Sequence, residues 1–281
     1  MSFRVGLTRD LFRPDGSPSF GSGPLQILDQ SPHIEWEIIP ETIDEISPDI
    51  AARYDGLYVN APRVTQASVA RADRRVKIIS RHGVGYDSVD TAALTQHGIV
   101  LTNTPVAVRR PVAVASLTLI FALAGRLFTK DKLTRAGRWN ERTSHMGLGL
   151  TTRTLGIIGA GGIGRELIAL ARPFGWNILT ADPLVSAESM SALGARLVPL
   201  DDLLATSDFV VACCILNEHT RHLMNARRFA QMKKEAFFIN VARGPVADER
   251  ALIEALRSGT IAGAGLDVFE PVSYTHLRAH E

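Results

Sequence analysis

The sequence predicts an α/β protein of two domains, each a parallel sheet covered by helices. Three observations carry that prediction. A chain of 281 residues makes about two domains at roughly 150 residues each. Short β-branched runs alternate with helix-like stretches along nearly the whole length, the pattern of successive βα units. The strand candidates are apolar throughout rather than in alternation, as strands covered on both faces are.

In the first hundred residues the strand candidates are RVGLT (4–8), IEWEIIP (34–40), GLYVN (56–60), VKIIS (76–80) and GIVLTN (98–103). Amphipathic stretches at 65–73 and 88–96 separate them. Pro105 disfavours helical geometry at Thr104, which places a linker at Asn103-Thr104-Pro105 and a first domain at 1–104. Residues 106–128 read as one long helix whose lack of a polar face suggests burial between domains or subunits. A second strand series follows: TLGIIG (154–159), NILTAD (177–182), ARLVP (195–199), DFVVACC (208–214), AFFINVA (236–242) and AGAGLDV (262–268). The clearest helices between them are 163–172, 200–206 and 248–257, giving a second domain at 105–271.

Composition narrows the function classes. The chain is 46% hydrophobic and 21% charged, ordinary for a globular protein. Its 31 Lys and Arg against 29 Asp and Glu leave a net +2, too balanced to imply a nucleic-acid or membrane-surface partner. The longest apolar run, 111–125, contains Ser116 and Thr118 and is too short to span a bilayer. Arg4 and Arg9 interrupt what would be the apolar stretch of a signal peptide. Cys213 and Cys214 are adjacent in an apolar run, which argues against a structural disulfide and for a reducing, cytoplasmic setting.

The strongest local motif is Gly159-Ala160-Gly161-Gly162-Ile163-Gly164, directly after the strand TLGII and opening a helix. Gly159 permits the tight turn, Gly161 lets a pyrophosphate approach the backbone, and Gly164 lets the helix pack closely on the strand. The helix N-terminus, from Gly162 and Ile163 onward, offers free amides to the phosphates. Asp182 closes the next strand, near the spacing expected for the acid that bonds the ribose hydroxyls. Its charge repels a 2′-phosphate and no Arg follows in ADPLVSAES, so NAD is favoured over NADP. The alternative is that Asp182 merely caps a turn before Pro183. The second domain is therefore read as a Rossmann-type, doubly wound NAD-binding domain.

RHGVGYDSVD (81–90), VLTNTP (100–105), the glycine fingerprint at 159–164, INVARGPVADE (239–249) and GAGLDVFE (263–270) stand in the chain in that order. Together they resemble the D-isomer-specific 2-hydroxyacid dehydrogenases, in their phosphoglycerate dehydrogenase-like and hydroxypyruvate reductase-like branch. The resemblance implies a flavodoxin-like substrate domain ahead of the nucleotide domain. It also implies an NAD-dependent oxidoreductase that interconverts a small D-2-hydroxy acid and its 2-oxo acid by hydride transfer. Arg243 matches the catalytic and substrate-binding arginine of the A-R-G motif; a planar guanidinium can hold a 2-oxo acid's carboxylate in a fork. Asp267 matches the aspartate near the nicotinamide carboxamide, and Val241 and Ala242 supply backbone contacts to the cofactor. The resemblance also implies that the amides of Val84 and Gly85 bind the substrate carboxylate. Cys214 and Ile215 stand where the family flanks the adenosine with a Cys- or Thr-Pro pair; Ile215 in place of Pro is a departure. Cys214 reads as an inert thiol, since nothing beside it suggests activation. A closing cleft and a homodimer are implied, with 130–150, including Trp139, as the arm that reaches across; core packing is the alternative for Trp139.

Other departures follow. The glutamate expected five residues after Asp267 is Val272, and the histidine the family carries some twenty residues later has no counterpart. After Glu270 the sequence leaves the family pattern. VSYTHLRAHE (272–281) resembles a translated sequencing-library adapter and is read as a non-native tail, which removes His276 and His280 as a metal pair or catalytic base. The resemblance therefore implies a C-terminally truncated chain that is catalytically silent and binds NAD weakly. His82 reads as scaffold beside the substrate loop; His33, His97, His145, His219 and His222 read as surface or loop residues. Arg63, after Asn60-Ala61-Pro62, is either a second anion contact or a solvated turn residue. One alternative function is an NAD(H)-sensing corepressor-like binding protein on the same fold; another is kinship with phosphonate or formate dehydrogenases.

Overall fold

Five parallel strands form the first sheet, β1 (Phe3–Leu7), β2 (Ile34–Ile38), β3 (Gly56–Val59), β4 (Ile78–Arg81) and β5 (Val100–Thr102), in the order β2-β1-β3-β4-β5. That is the flavodoxin-like order. A computed structural model describes residues 2–270; Val272, His276, His280 and the rest of the expected tail lie outside the described residues. The chain divides into two compact units, Met1–Val108 and Arg109–Glu281. The division falls at Val108, a few residues beyond the Thr104-Pro105 joint expected above, because 105–108 form a turn before the next helix begins.

Four helices cover the first sheet: α1 (Gly23–Asp29), α2 (Pro48–Arg53), α3 (Gln66–Val69) and α4 (Thr91–Gln96). Their starts follow from local chemistry. Ser47 accepts from the Ile50 amide ahead of Pro48, and Asp90 accepts from the Ala93 amide at 2.9 Å, each satisfying a donor that the first helical turn leaves open. Ile39, Ile50, Tyr54, Leu57, Val59, Ile79 and Leu94 form the core of this unit.

In the second unit β6 (Thr154–Ile158), β7 (Asn177–Ala181), β8 (Arg196–Leu197), β9 (Phe209–Ala212), β10 (Phe237–Asn240) and β11 (Gly263–Leu266) are ordered β11-β10-β9-β6-β7-β8, all parallel. This is the doubly wound Rossmann order. Ile157, Val211 and Ile239 point into one core, and Ile158, Val210 and Phe238 into another. Both faces are covered, which explains the unbroken apolar strands. Helices α5 (Arg109–Ala124) and α7 (Gly162–Ala171) pack on the first face. On the other face lie α9 (Leu200–Thr206), α10 (Ala226–Gln231) and α11 (Glu249–Arg257); α6 (Leu127–Arg135) and α8 (Ala187–Ala192) complete the unit.

The single helix expected over 106–128 is instead two, α5 and α6, bent by 56° at the break. Gly125 and Arg126 make the bend: Arg126 is left-handed at φ 50°, a conformation that ends a right-handed helix. The last carbonyl of α5 is taken by the incoming chain, with the Leu148 amide donating to Ala124 at 2.7 Å. The apolar character of α5 is spent on this unit's own sheet, where Ile120 and Leu117 are buried. Ser116 and Thr118 return their hydroxyls to the carbonyls of Val112 and Val114. No single helix among the described residues is long and apolar enough to cross a membrane.

Candidate active site

In a doubly wound sheet the crevice opens where strand connections diverge, at the carboxyl ends of the strands. Here β6 and β9 are neighbours, β6 leading towards β7 and β9 towards β10. The two strand ends meet closely. Gly159 has φ 94°, and a Cβ there would lie 2.7 Å from the Cys214 Cα. The Cys213 amide donates to the Ile158 carbonyl at 2.8 Å. Only glycine satisfies both the positive φ and this approach.

The rest of the glycine loop is shaped in the same way. A Cβ on Gly164 would stand 2.2 Å from the Gly159 carbonyl oxygen, so the loop lies directly against α7. Gly161 faces open space and precedes a helix of ten residues with no side-chain cap. Its first amides are thus available to an anion, with the helix dipole in support. Arg165 turns back to donate to the Ala160 carbonyl at 3.1 Å. Ile163 is half-buried and Gly162 exposed.

Asp182, just past the end of β7, combines the two roles weighed for it. Its carboxylate accepts from the Ala160 amide and, two residues on, from the Leu184 amide, each at 2.8 Å. It therefore caps its own turn and clamps the glycine loop. A carboxylate has about four acceptor sites, so ribose hydroxyls can still be bound. The open face at Gly161, the tight seat at Gly164 and the fixed acid beside them fit a dinucleotide.

Further along the strand ends, Cys214 packs on Gly159 while Ile215 is 69% exposed. Burial pushes the Cys214 thiol up to about 11, opposed by a backbone hydrogen bond and reinforced by Asp182; burial pushes Cys213 higher still. Neither is a thiolate near neutral pH, in keeping with an inert pair. Val241 and Ala242 bury their side chains in opposite cores, which leaves the backbone to carry any cofactor contact.

Arg243 lies shortly after β10, in the turn past Val241 and Ala242, its guanidinium donating to the Ala242 carbonyl at 2.8 Å. A residue the sequence reading did not single out holds this segment. Asn240 is 1% exposed; its amide nitrogen donates to the Arg243 carbonyl at 3.0 Å and its oxygen accepts from the Ala242 amide at 3.1 Å. Its own carbonyl accepts from the Asp267 amide at 3.0 Å, which ties the exposed Asp267 to the same strand end. Gly244 is compulsory, because a Cβ there would fall 1.8 Å from the Phe269 carbonyl oxygen. His222, expected at the surface, pairs with Glu270 at 2.7 Å beside this turn.

On the first unit, Gly83 has φ 105°. Its amide donates to the Thr104 hydroxyl, its carbonyl accepts from the Thr104 amide, and Asn103 donates to the Val84 carbonyl. Those bonds pin the loop and leave the amides of Val84 and Gly85 outside the set. His82 packs against Phe20 and hydrogen-bonds the Tyr58 hydroxyl. Burial, with Arg81 adding and Asp10 opposing, lowers its pKa and keeps the ring neutral, as a scaffold residue would be. Arg63 pairs with Glu45 at 3.0 Å, which favours the turn reading over an anion contact. Trp139 is 54% exposed under the Arg142 guanidinium and so is not a core residue. Among the described residues no cluster of His, Cys, Asp and Glu is placed to hold a metal ion.

These features define a doubly wound α/β unit whose glycine loop and strand-end acid fit a dinucleotide. Residues 117–280 match the family described as D-isomer specific 2-hydroxyacid dehydrogenase, NAD binding domain. The glyoxylate reductase of Thermococcus onnurineus is 38% identical over 86% of this chain and 74% of its own length. The D-3-phosphoglycerate dehydrogenase of Archaeoglobus fulgidus is 36% identical over 78% of this chain and 41% of its own. A crystal structure of a glyoxylate reductase from Paecilomyes thermophila superimposes with a TM-score of 0.80 at 31% identity, covering 96% of this chain and 82% of that one. The D-lactate dehydrogenase from Aquifex aeolicus, complexed with NAD and lactic acid, gives 0.83 at 26% identity, over 99% and 82%. The chain belongs to the D-isomer specific 2-hydroxyacid dehydrogenases, oxidoreductases that act on a CH–OH group with NAD. The corepressor alternative finds no support among these relatives.

Proposed function

We propose that this protein binds a small 2-oxo acid of the glyoxylate type beside NAD and positions it for hydride transfer. The observation that carries the reading is Arg243, whose backbone is held in the turn after β10 by Asn240 and Gly244. When bound, NAD supplies the hydride donor or acceptor. The Arg243 guanidinium presents two parallel N–H groups to the substrate's carboxylate and carbonyl oxygen. It orients the acid and stabilises negative charge as it develops on that oxygen. The amides of Val84 and Gly85 are assigned to the carboxylate on the first unit. The 2-carbon size follows the named activity of the nearer-length relatives, the glyoxylate reductases.

Homodimerisation is part of the same proposal. Trp139 and Met146 of the expected arm, and Leu127 and Phe128 just before it, are all more than half exposed, an apolar set of the kind that marks an interface. A cytoplasmic setting is proposed on the two adjacent thiols.

Titrating glyoxylate, hydroxypyruvate and pyruvate into the NADH-loaded protein tests the reading, because binding and oxidation both quench cofactor fluorescence. Glyoxylate should act at the lowest concentration, and Arg243→Gln should raise that concentration at least tenfold. An Arg243→Gln protein that responds as the wild type does, or a wild type blind to all three acids, would refute it.

A further inference from the structure

Gly162 has no conformational reason to be glycine. It lies in the first turn of α7 without a positive φ, where alanine would be favoured by about 1 kcal/mol. The reason is steric. A Cβ built on Gly162 would lie 2.6 Å from Arg109 Nε, 3.1 Å from its Cδ and 3.2 Å from its Cζ. The Arg109 side chain, rising from the first residue of α5, is laid directly over the start of α7. The missing side chain makes the seat.

Two other cations flank it at this junction. Arg110, the next residue on α5, bridges to Glu166 of α7 at 3.0 Å and so ties the two helices. Arg165 holds the Ala160 carbonyl. Arg109 lies over the first turn of α7, where no side chain caps the amides. We propose that Arg109 is a cofactor-binding residue: its guanidinium, admitted by Gly162, meets the pyrophosphate of the dinucleotide. The glycine motif itself carries no cation near its exposed face, and a neighbouring helix supplies one. A guanidinium suits the task because its donors match two phosphate oxygens at once. This rests on NAD occupying the crevice, not on the identity of the acid substrate.

Calorimetric titration of the full chain with NADH, ADP-ribose and adenosine tests it, for wild type, Arg109→Gln, Arg109→Lys and Gly162→Ala. Arg109→Gln should weaken NADH and ADP-ribose by about tenfold or more and leave adenosine, which has no phosphate, unchanged. Arg109→Lys should keep most of the affinity. Gly162→Ala should weaken NADH in the wild type and add nothing further in the Arg109→Gln background, since the guanidinium it displaces is already gone. The dependence of NADH affinity on salt should also be shallower without the charge. NADH binding within twofold of wild type by a folded Arg109→Gln protein would overturn the proposal, as would an equal loss for adenosine. Should Arg109→Gln fail to fold, strict additivity of Gly162→Ala and Arg109→Lys would overturn it instead. A wild type that binds ADP-ribose no better than adenosine removes the phosphate site itself and the proposal with it.

Discussion

Gly244 and Gly164 show how single missing side chains hold the site together. At Gly244 the Phe269 carbonyl oxygen stands 1.8 Å from where a Cβ would be, and backbone cannot retreat as a flexible side chain can. Gly244→Ala should therefore destabilise the second unit by about 2 kcal/mol or more and release Arg243 from its turn. A lowered melting temperature with weakened substrate response checks this; a neutral melt argues against the packing described. His82 supports a prediction of a different kind. Its folded pKa lies below the ordinary 6.5 because burial, aided by Arg81, disfavours the charged ring. The unfolded chain then takes up a proton that the folded chain resists. The stability so conferred is fully present above about pH 6.5 and is lost as pH falls from there through the lowered folded value. His82→Gln should flatten the stability curve across that window, measured by urea unfolding at successive pH values; an unchanged slope would exclude His82 as the source. Asp55 acts further into acid. Burial would raise its pKa, but the Arg4 amide and the Arg75 guanidinium outweigh it, so its contribution is full above the ordinary carboxylate value and is lost as pH falls from there through the lowered folded value.

Among elements, the seat of α5 on the sheet is set by a strand nearly without side chains. Gly265 in β11 would place a Cβ 3.1 Å from Leu119 Cβ and 3.2 Å from Leu123 Cδ1. Gly265→Val should cost about 1–3 kcal/mol by overpacking, visible as a lower denaturation midpoint, while Gly265→Ala should cost less. If valine is tolerated without loss, α5 is not held where it is described. The same elements show which features a sequence reveals. The loop 159–164 was legible because its strand, turn and helix are contiguous, so its requirements are written within six letters. That the strands are covered on both faces followed from their unbroken apolar runs, but strand order was not read from them. The break between α5 and α6 was not legible, since apolar residues continue past Gly125 and the cause is a left-handed Arg126 with Leu148 arriving from downstream. Asn240, Arg109 and the need for Gly244 were hidden for a related reason. Each acts on a partner outside its own motif, and only folding brings the partners together.

At the scale of the whole molecule, the residues proposed for the cofactor crevice all lie in one of two compact units. Gly159 to Gly164, Asp182, Cys214, Arg243 and Asp267 follow β6, β7, β9, β10 and β11, all within Arg109–Glu281. Each unit has its own sheet and its own core, which permits each to open independently. A ligand stabilises the state it binds by RT ln(1 + [L]/Kd), about 2.7 kcal/mol at a hundredfold excess over Kd. That gain should therefore fall on the second unit. In hydrogen exchange with and without NADH, amides at the start of α7, in 213–215 and in 240–243 should slow by about two orders of magnitude where their exchange requires unfolding of that unit. Amides of β1, β3 and β4, whose exchange is governed by the first unit, should change little. Equal slowing in both sheets would show that the two units unfold as one cooperative body, and that the division at Val108 has no energetic meaning. Slowing in the first sheet alone would place the cofactor on the wrong unit.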